Sequence, residues 1–194
     1  MTPKRFSRLK EVTQRRQKYL TVVLENIHDP HNVSAILRTA DAVGIDKVYL
    51  IYNSSKFPKI GKTSSASAKK WIELKKYSVV EECFLDLRKE KFKIYSTSFS
   101  SKSKSYSLYD LNFTGKTAFV FGNEHSGVSE EVSMLADKNF IIPMYGMVQS
   151  LNVSVAAAIC FYEALRQREI RGMYGKSNYS KKELTEKLNS YLNR

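Results

Sequence analysis

Residues 19–44 read YLTVVLENIHDPHNVSAILRTADAVG and join a short apolar run to a helical pattern. The run over 19–27 is rich in β-branched residues, too short for a buried helix and followed by the turn-forming pair Asp29-Pro30, so it predicts a buried strand. The next stretch has helical spacing ended by Gly44, with apolar side chains at Val33, Ile36, Leu37, Ala40 and Val43. A buried strand followed directly by an amphipathic helix is the unit from which parallel α/β sheets are built.

The same alternation runs through most of the chain. Strands are predicted at 47–52, 71–77, 93–99, 117–122 and 139–144, and helices at 79–91, near 129–136 and from about 153 to 171. Residues 53–70 and 100–116 are rich in Ser, Lys and Gly and are predicted to be loops. A capping-box pattern at Ser180 and Glu183 predicts a C-terminal helix over 180–193. This order of elements predicts a parallel α/β sheet with both faces covered.

Length and composition indicate an ordinary globular protein. The 194 residues, 42% of them hydrophobic, suit one domain with terminal extensions. The longest apolar run, 155–162, is far short of the roughly 20 residues that cross a bilayer. The basic N-terminus is followed by no apolar segment typical of export, so a cytoplasmic location is expected. Cys83 and Cys160 lie in apolar helical patterns and are predicted to be buried free thiols.

The basic charge is concentrated in two windows. The chain has 32 Lys and Arg against 19 Asp and Glu, a formal net charge of +13. Residues 1–18 and 56–76 each hold seven basic side chains and one acidic side chain, so each contributes +6. Clustering of this kind favours a nucleic-acid partner over a role in solubility alone. A membrane-surface segment is less consistent, because neither window has a clean apolar face with aromatic anchors.

The spacing of glycines and histidines does not match three common kinds of ligand site. No two glycines have the close spacing of a dinucleotide-binding loop. Residues 122–127 have the GxxxxG spacing of a phosphate loop, but Val128 follows where such a loop requires Lys. His28 and His31 flank a turn without the Glu or Cys of a known zinc pattern, so no metal site is expected.

Three polar segments stand at the ends of predicted strands. They are 25–44 (ENIHDPHNVSAILRTADAVG), 119–129 (FVFGNEHSGVS) and 142–159 (IPMYGMVQSLNVSVAAAI). Taken singly, each has a structural explanation as a turn followed by a helix cap, with Asp29 or Asn32, Ser129, and Ser150 or Asn152 as candidate caps.

Together, in this order, the segments resemble the three motifs of the SpoU/TrmH family of SPOUT-class RNA methyltransferases. Residues 166–175 (RQREIRGMYG) are similar to the segment after motif 3 in the TrmH branch, which methylates the ribose 2′-hydroxyl of guanosine 18 in tRNA. The resemblance implies a SPOUT methyltransferase domain at 19–171 with a deep trefoil knot at about 117–165. It implies helical extensions at 1–18 and 172–194, S-adenosylmethionine as cofactor, tRNA as partner and a homodimer.

The family motifs also imply roles for individual residues. Arg38 is placed at the 2′-hydroxyl, with Asn32, Glu124, Ser150 and Asn152 around the reaction centre. A guanidinium has a pKa above about 12 and is a poor base, so we hypothesise that Arg38 acts together with an RNA phosphate that it binds as a fork. The expected cofactor-binding positions are Thr97, Gly122, Ile142 and Leu151. Ile142 and Leu151 could equally be core residues, and Thr97 an ordinary strand-end residue.

RNA contacts are expected from basic residues near both termini and in the lysine-rich window. The candidates are Arg8, Arg15, Arg16, Lys62, Lys69, Lys70, Arg166, Arg168 and Arg171. Two alternatives stay open: 2′-O-methylation of another RNA, such as rRNA or the tRNA wobble nucleotide, and a non-catalytic RNA-binding protein on the same fold. A DNA-binding protein would need a helix-turn-helix or zinc module, which the sequence lacks.

Overall fold

A sheet of seven parallel strands forms the centre of the computed structural model, which describes residues 1–54, 56–58, 68–98 and 105–194. The strands are β1 (Leu20–Glu25), β2 (Lys47–Ile51), β3 (Glu73–Tyr77), β4 (Lys93–Thr97), β5 (Ser105–Ser107), β6 (Thr117–Phe121) and β7 (Lys138–Ile141). Their order across the sheet is β3-β2-β1-β6-β4-β7-β5. Because these strands all pair in parallel, their carboxyl ends meet at one edge of the sheet.

In the described parts of the chain, six α-helices accompany the sheet. They are α1 (Pro3–Arg15), α2 (Pro30–Ala42), α3 (Val80–Lys89), α4 (Glu130–Leu135), α5 (Val153–Ile170) and α6 (Lys181–Leu192). Asp29 caps α2, Ser129 caps α4 and Asn152 caps α5, each by accepting a backbone N–H with its side chain. The capping box predicted at Ser180 and Glu183 is confirmed at the start of α6. Among the described residues, no helix is long and apolar enough to cross a membrane.

Both faces of the sheet are covered, as the sequence predicts. Alternate residues of β1 point to opposite sides, so that Val22 joins one apolar cluster and Val23 the other. The first cluster includes side chains of α2 and α5, and the second includes side chains of α3 and α4. The two cores fix the carboxyl edge of the sheet relative to the helices that begin there.

The structure corrects some predicted boundaries. Residues 100–116 were expected to be a loop, but they include β5 and a 3-10 turn at Leu108–Asp110. Among the described strands, β5 pairs with β7 alone, at the border of the sheet, and its polar sequence Ser-Tyr-Ser does not have the pattern of a buried strand. In the other predicted loop, the described part contains a 3-10 turn at Ala68–Lys70.

The two terminal helices pack against each other beside the sheet. Arg16, which follows α1, donates its Nε–H to the hydroxyl of Tyr191 in α6 at 2.9 Å. The same guanidinium pairs with Asp41 at 2.6 Å, which ties both helices to the end of α2. Tyr191 also packs edge-on against Trp71, with ring centroids 5.4 Å apart. The termini are therefore held against the domain.

Candidate active site

The three polar segments meet at the carboxyl edge of the sheet. Glu124, just after β6, directs its carboxylate toward the start of α2, which follows the neighbouring strand β1. The carboxylate accepts from the side-chain amide of Asn32 at 3.0 Å and from the backbone N–H groups of His28 and Asp29 at 3.3 and 3.4 Å. A carboxylate is stabilised at this position because the N-terminus of a helix carries partial positive charge.

Asn32 connects this carboxylate to the third segment. Its side-chain oxygen accepts from the amide of Asn152 at 3.0 Å, while its own amide donates to Glu124. Asn152 uses its remaining oxygen to cap α5, accepting from the backbone N–H of Ser154 at 2.8 Å. Glu124, Asn32 and Asn152 thus form a continuous hydrogen-bonded chain, which we call the motif network. It joins residues that lie far apart in the sequence.

Glu124 is held in its ionised form. Partial burial raises its pKa, but the hydrogen bonds from Asn32 and from the backbone N–H groups of His28 and Asp29 outweigh burial, so the net pKa lies below its ordinary value. At neutral pH the group is a carboxylate that already accepts three hydrogen bonds. It is therefore suited to positioning rather than to taking a proton.

The loop that carries Glu124 is tightly closed. A Cβ on Gly122 would lie 2.1 Å from the carbonyl oxygen of Gly127, so only glycine fits at this position. Asn123 donates to the backbone oxygen of Asn26 at 2.9 Å and accepts from the backbone N–H of His125 at 2.8 Å. The loop is thus fastened both to itself and to the end of β1.

Sequence reasoning missed two positioning side chains here, Glu25 and Asn123. Glu25 is buried at the end of β1 and accepts from the backbone N–H of Ser129 at 2.8 Å, which fixes the far end of the loop. The available signal was a carboxylate as the last residue of an otherwise apolar strand, where a charge needs a partner.

Among the described residues, the side chains of Arg38 and Ser150 make no hydrogen bond to the motif network. Arg38 lies on the exposed side of α2, six residues and about 9 Å along the helix from Asn32. Within the described ranges, its side chain makes no hydrogen bond or ion pair, because the nearby Asp41 pairs with Arg16 instead. Ser150 is exposed in the segment before α5. Both side chains are therefore free to contact a ligand.

The four expected cofactor positions share the carboxyl edge. Thr97 ends β4, Gly122 follows β6 and Ile142 follows β7, and these three strands are neighbours in the sheet. Leu151 lies just before α5 and, like Ile142, is half-buried. Thr97 donates its hydroxyl to the backbone oxygen of Val120 at 3.1 Å. Ligands of open parallel sheets bind at this edge.

Two of the expected RNA-binding arginines are buried, and their assignment is wrong. Arg16 is 1% exposed and pairs with Asp41, as described above. Arg168 is completely buried and donates to the backbone oxygens of Phe113, Tyr19 and Gly115. A side chain enclosed in this way cannot reach a phosphate. Both arginines connect segments of the fold.

The other basic candidates differ in how they are placed. Arg8, Arg15, Lys70, Arg166 and Arg171 are exposed. Arg8 and Arg15 each pair with Glu11 at 3.1 Å, and Arg166 pairs with Glu163 at 2.8 Å. Lys69 belongs to the turn Ala68–Lys70, and Lys62 lies outside the described residues.

The two cysteines are buried, and their thiols stay protonated at neutral pH. Burial raises the pKa of the Cys83 thiol to about 12 and that of Cys160 well above its ordinary value. The prediction of buried free thiols is confirmed. In the described part of the chain, no three side chains of His, Cys, Asp or Glu gather into a possible metal site.

Apolar side chains are exposed beside the candidate site. Tyr145 and Met147 are 98% and 99% exposed in the segment between β7 and α5. On α5, Val155 and Tyr162 are seven residues apart, on one side of the helix, and both are exposed. A surface of this kind is typical of a protein interface.

Comparison with known proteins identifies relatives over nearly the whole chain. The model of the SpoU rRNA Methylase family matches residues 19–162. The tRNA (guanosine(18)-2′-O)-methyltransferase of Escherichia coli K12 is 40% identical over 178 residues, which cover 92% of this chain and 76% of the relative. The enzyme of the same name from Thermus thermophilus is 45% identical over 173 residues, 89% of this chain and 88% of the relative.

A solved structure agrees in fold as well as in sequence. The crystal structure of the A. aeolicus TrmH/SpoU tRNA modifying enzyme superposes with a TM-score of 0.91 at 40% identity. The match covers 98% of this chain and 95% of the other. The parallel α/β architecture and the family expected from the three motifs are both confirmed.

Proposed function

Because this chain belongs to the SpoU rRNA methylase family, we propose that it transfers the methyl group of S-adenosylmethionine to the ribose 2′-hydroxyl of guanosine 18 in tRNA. The observation that carries the proposal is the motif network, in which Glu124, Asn32 and Asn152 join the three family motifs at one point. The relatives from E. coli and T. thermophilus, named for this reaction, support the choice of tRNA and of guanosine 18.

The reaction needs a positioned hydroxyl and a route for its proton. Glu124 is a poor candidate for the base, since its carboxylate already accepts three hydrogen bonds and its pKa is lowered. Arg38 has five N–H donors and no partner among the described residues, so it can bind an RNA phosphate as a fork and orient the adjoining ribose. The hydroxyl proton then moves toward an oxygen of that phosphate, since a guanidinium has donors and no acceptor.

S-adenosylmethionine would supply a methyl group bonded to a positively charged sulfur. The sulfur leaves as a neutral thioether when the methyl group is transferred. Thr97, Gly122, Ile142 and Leu151 would hold it, because they line the carboxyl ends of three adjacent strands and include half-buried apolar side chains suited to a nucleoside. Ser150 and Asn152 would stand next to this site. Asn32 and Glu124 would hold the loops around the cofactor in fixed positions relative to each other.

The tRNA would be held by the exposed basic residues near both ends of the chain. Arg8, Arg15, Lys70, Arg166 and Arg171 are available, with Lys62 and Lys69 as further candidates. The ion pairs that Arg8 and Arg15 make with Glu11 are exposed and weak, so a phosphate can replace them. Phosphate contacts of this kind position the RNA without reading its sequence.

The protein would act as a homodimer in the cytoplasm. A second copy is the partner proposed for the exposed apolar side chains Tyr145, Met147, Val155 and Tyr162. The knot at about 117–165 and the division into 1–18, 19–171 and 172–194 belong to the same proposal.

The direct test is methyl transfer to a purified transcript. Labelled S-adenosylmethionine is supplied with an unmodified tRNA transcript, a 23S rRNA transcript and a short double-stranded DNA, and the labelled nucleotide is identified after digestion. The proposal predicts 2′-O-methylguanosine in tRNA alone. Label in rRNA alone would change the substrate, as a relative 32% identical over 161 residues and named for 23S rRNA methylation would suggest. Absence of label from both RNAs would refute the proposed function.

A further inference from the structure

A cavity of about 550 Å³ lies between α1, the last turns of α2 and α5, and the turn at 172–175. Its volume is within the range that takes small ligands. The polar side chains that line it include Arg8, Glu11, Arg15, Asp41, Glu169 and Tyr174. None of these belongs to the motif network or to the expected cofactor positions.

The cavity begins one helical turn from Arg38. Two of its lining residues, Asp41 and Ala42, are three and four residues after Arg38 on α2. Side chains with these spacings are neighbours on a helix surface, about 5–6 Å apart at Cβ. Arg38 and Ala42 are both exposed and lie on the same side of α2, so the cavity borders the surface that carries Arg38.

The carboxylates of the cavity are not equivalent. Glu11 is paired with Arg8 and Arg15, and Asp41 is paired with Arg16. Glu169 is exposed, and within the described part of the chain its carboxylate makes no hydrogen bond or ion pair. It is the cavity carboxylate with both oxygens available to a ligand.

A free carboxylate matches one edge of guanine. The N1–H and the 2-amino group of guanine are two adjacent donors, and a carboxylate has two acceptor oxygens that can bind both. Adenine has an acceptor at N1 and no 2-amino group, so it cannot make this pair. Arg8 and Arg15 also line the cavity, and because their side chains are mostly exposed they can bind the flanking phosphates.

We propose that this cavity binds the base of the target guanosine and that Glu169 selects guanine through its N1–H and 2-amino groups. The proposal rests on the proposed function, because it takes the ribose at Arg38 to be the methylated one. It makes Glu169 a specificity-determining residue that acts on the base and not on the transferred methyl group.

The test compares kcat/KM for tRNA transcripts with guanosine or inosine at position 18, since inosine lacks only the 2-amino group. The wild type is expected to prefer guanosine by roughly 5- to 150-fold, the value of one good base contact. In Glu169→Gln the amide NH2 opposes a guanine donor, so the preference should fall to near unity. The control Glu82→Gln alters another exposed glutamate, on α3, and should keep the wild-type preference.

A second variant tests the cavity itself. Ala42 is exposed, so Ala42→Phe can fill the mouth of the cavity without disturbing the core. It should raise KM for tRNA and leave the affinity for S-adenosylmethionine, measured by calorimetry, unchanged. An unchanged preference in Glu169→Gln, or an unchanged KM in Ala42→Phe, would overturn this inference while methylation of tRNA by the wild type upheld the proposed function. Absence of any transfer by the wild type would instead refute the proposed function.

Discussion

Replacing Arg168 with alanine should destabilise the protein and should not act through RNA binding. The Arg168 guanidinium donates to the backbone oxygens of Phe113, Tyr19 and Gly115 at 2.9, 2.7 and 2.6 Å, and to the side-chain oxygen of Gln17 at 3.2 Å. Burial lowers its pKa to about 10, so the group is still protonated at neutral pH. It cross-links the segment before β1, the segment before β6 and α5.

The magnitude follows from the acceptors that lose their donor. Each buried polar group left without a partner costs about 1–3 kcal/mol. Removal of the guanidinium also removes the free-energy cost of burying its charge, which offsets part of this loss. The net loss in the free energy of unfolding should be about 3–5 kcal/mol. For a chain of this length, each kcal/mol changes Tm by about 2–4 °C, so Arg168→Ala should melt roughly 6–20 °C below the wild type.

The assay is thermal unfolding followed by circular dichroism, paired with tRNA binding measured below the lower Tm. Arg166→Ala is the matched control, two residues earlier on α5, where the side chain is 61% exposed and paired with Glu163. It should change stability by less than Arg168→Ala does, because the buried Glu163 keeps its hydrogen bond from Gln167, and it should weaken tRNA binding. A wild-type Tm for Arg168→Ala together with weakened tRNA binding would refute this reasoning.

Four further predictions concern the proposed site, the surface and the terminal helices. Arg38→Lys keeps the charge but loses the fork, so it should lose most turnover and retain the affinity for S-adenosylmethionine; near-normal turnover would contradict the role of Arg38. Glu124→Gln should lower kcat roughly 10- to 150-fold in the methyl-transfer assay through loss of about 1.5–3 kcal/mol of charged hydrogen bonding, and an unchanged kcat would count against the motif network. The hydrogen bond from Lys18 holds the pKa of Glu183 at about 2, so the stabilisation is complete above about pH 4 and is lost as the pH falls toward 2. The free energy of unfolding, measured by urea titration, should therefore decline more steeply between pH 7 and pH 2 in the wild type than in Glu183→Gln. The same pH dependence in both proteins would contradict the contribution of this ion pair. For each phosphate contact, the logarithm of tRNA affinity should fall by about 0.7–0.9 per tenfold rise in salt concentration. A tRNA affinity that does not depend on salt would show that the exposed basic residues do not bind the tRNA phosphates.

The sequence predicts most of the fold because local patterns and sheet topology agree. The apolar run of β1 and the helical spacing of α2 identify one βα unit, and repetition of this unit predicts a parallel sheet. Strand β5 escaped prediction because a three-residue polar strand at the border of a sheet leaves no apolar pattern. Its pairing with β7 depends on a chain path that local sequence does not encode.

The sequence predicted which residues belong to the motif network, but it did not predict the hydrogen bonds between them. Family motifs identified Glu124, Asn32 and Asn152, whereas their hydrogen bonds join residues 92 and 120 positions apart and required the folded chain. The error at Arg168 has a local cause. Counting charge treats every arginine as exposed, but Arg168 continues the buried stripe of Ala157 and Ala164 on α5 at helical spacing. That periodicity was the signal for a buried arginine.

Methyl transfer to a tRNA transcript that carries 2′-deoxyguanosine at position 18 tests the central claim most directly. The ordinary transcript and the deoxy transcript differ by one oxygen atom, the proposed methyl acceptor. Transfer to the ordinary transcript and none to the deoxy transcript is the predicted result. Equal transfer to both would show that the methyl group goes to another position and would contradict the account.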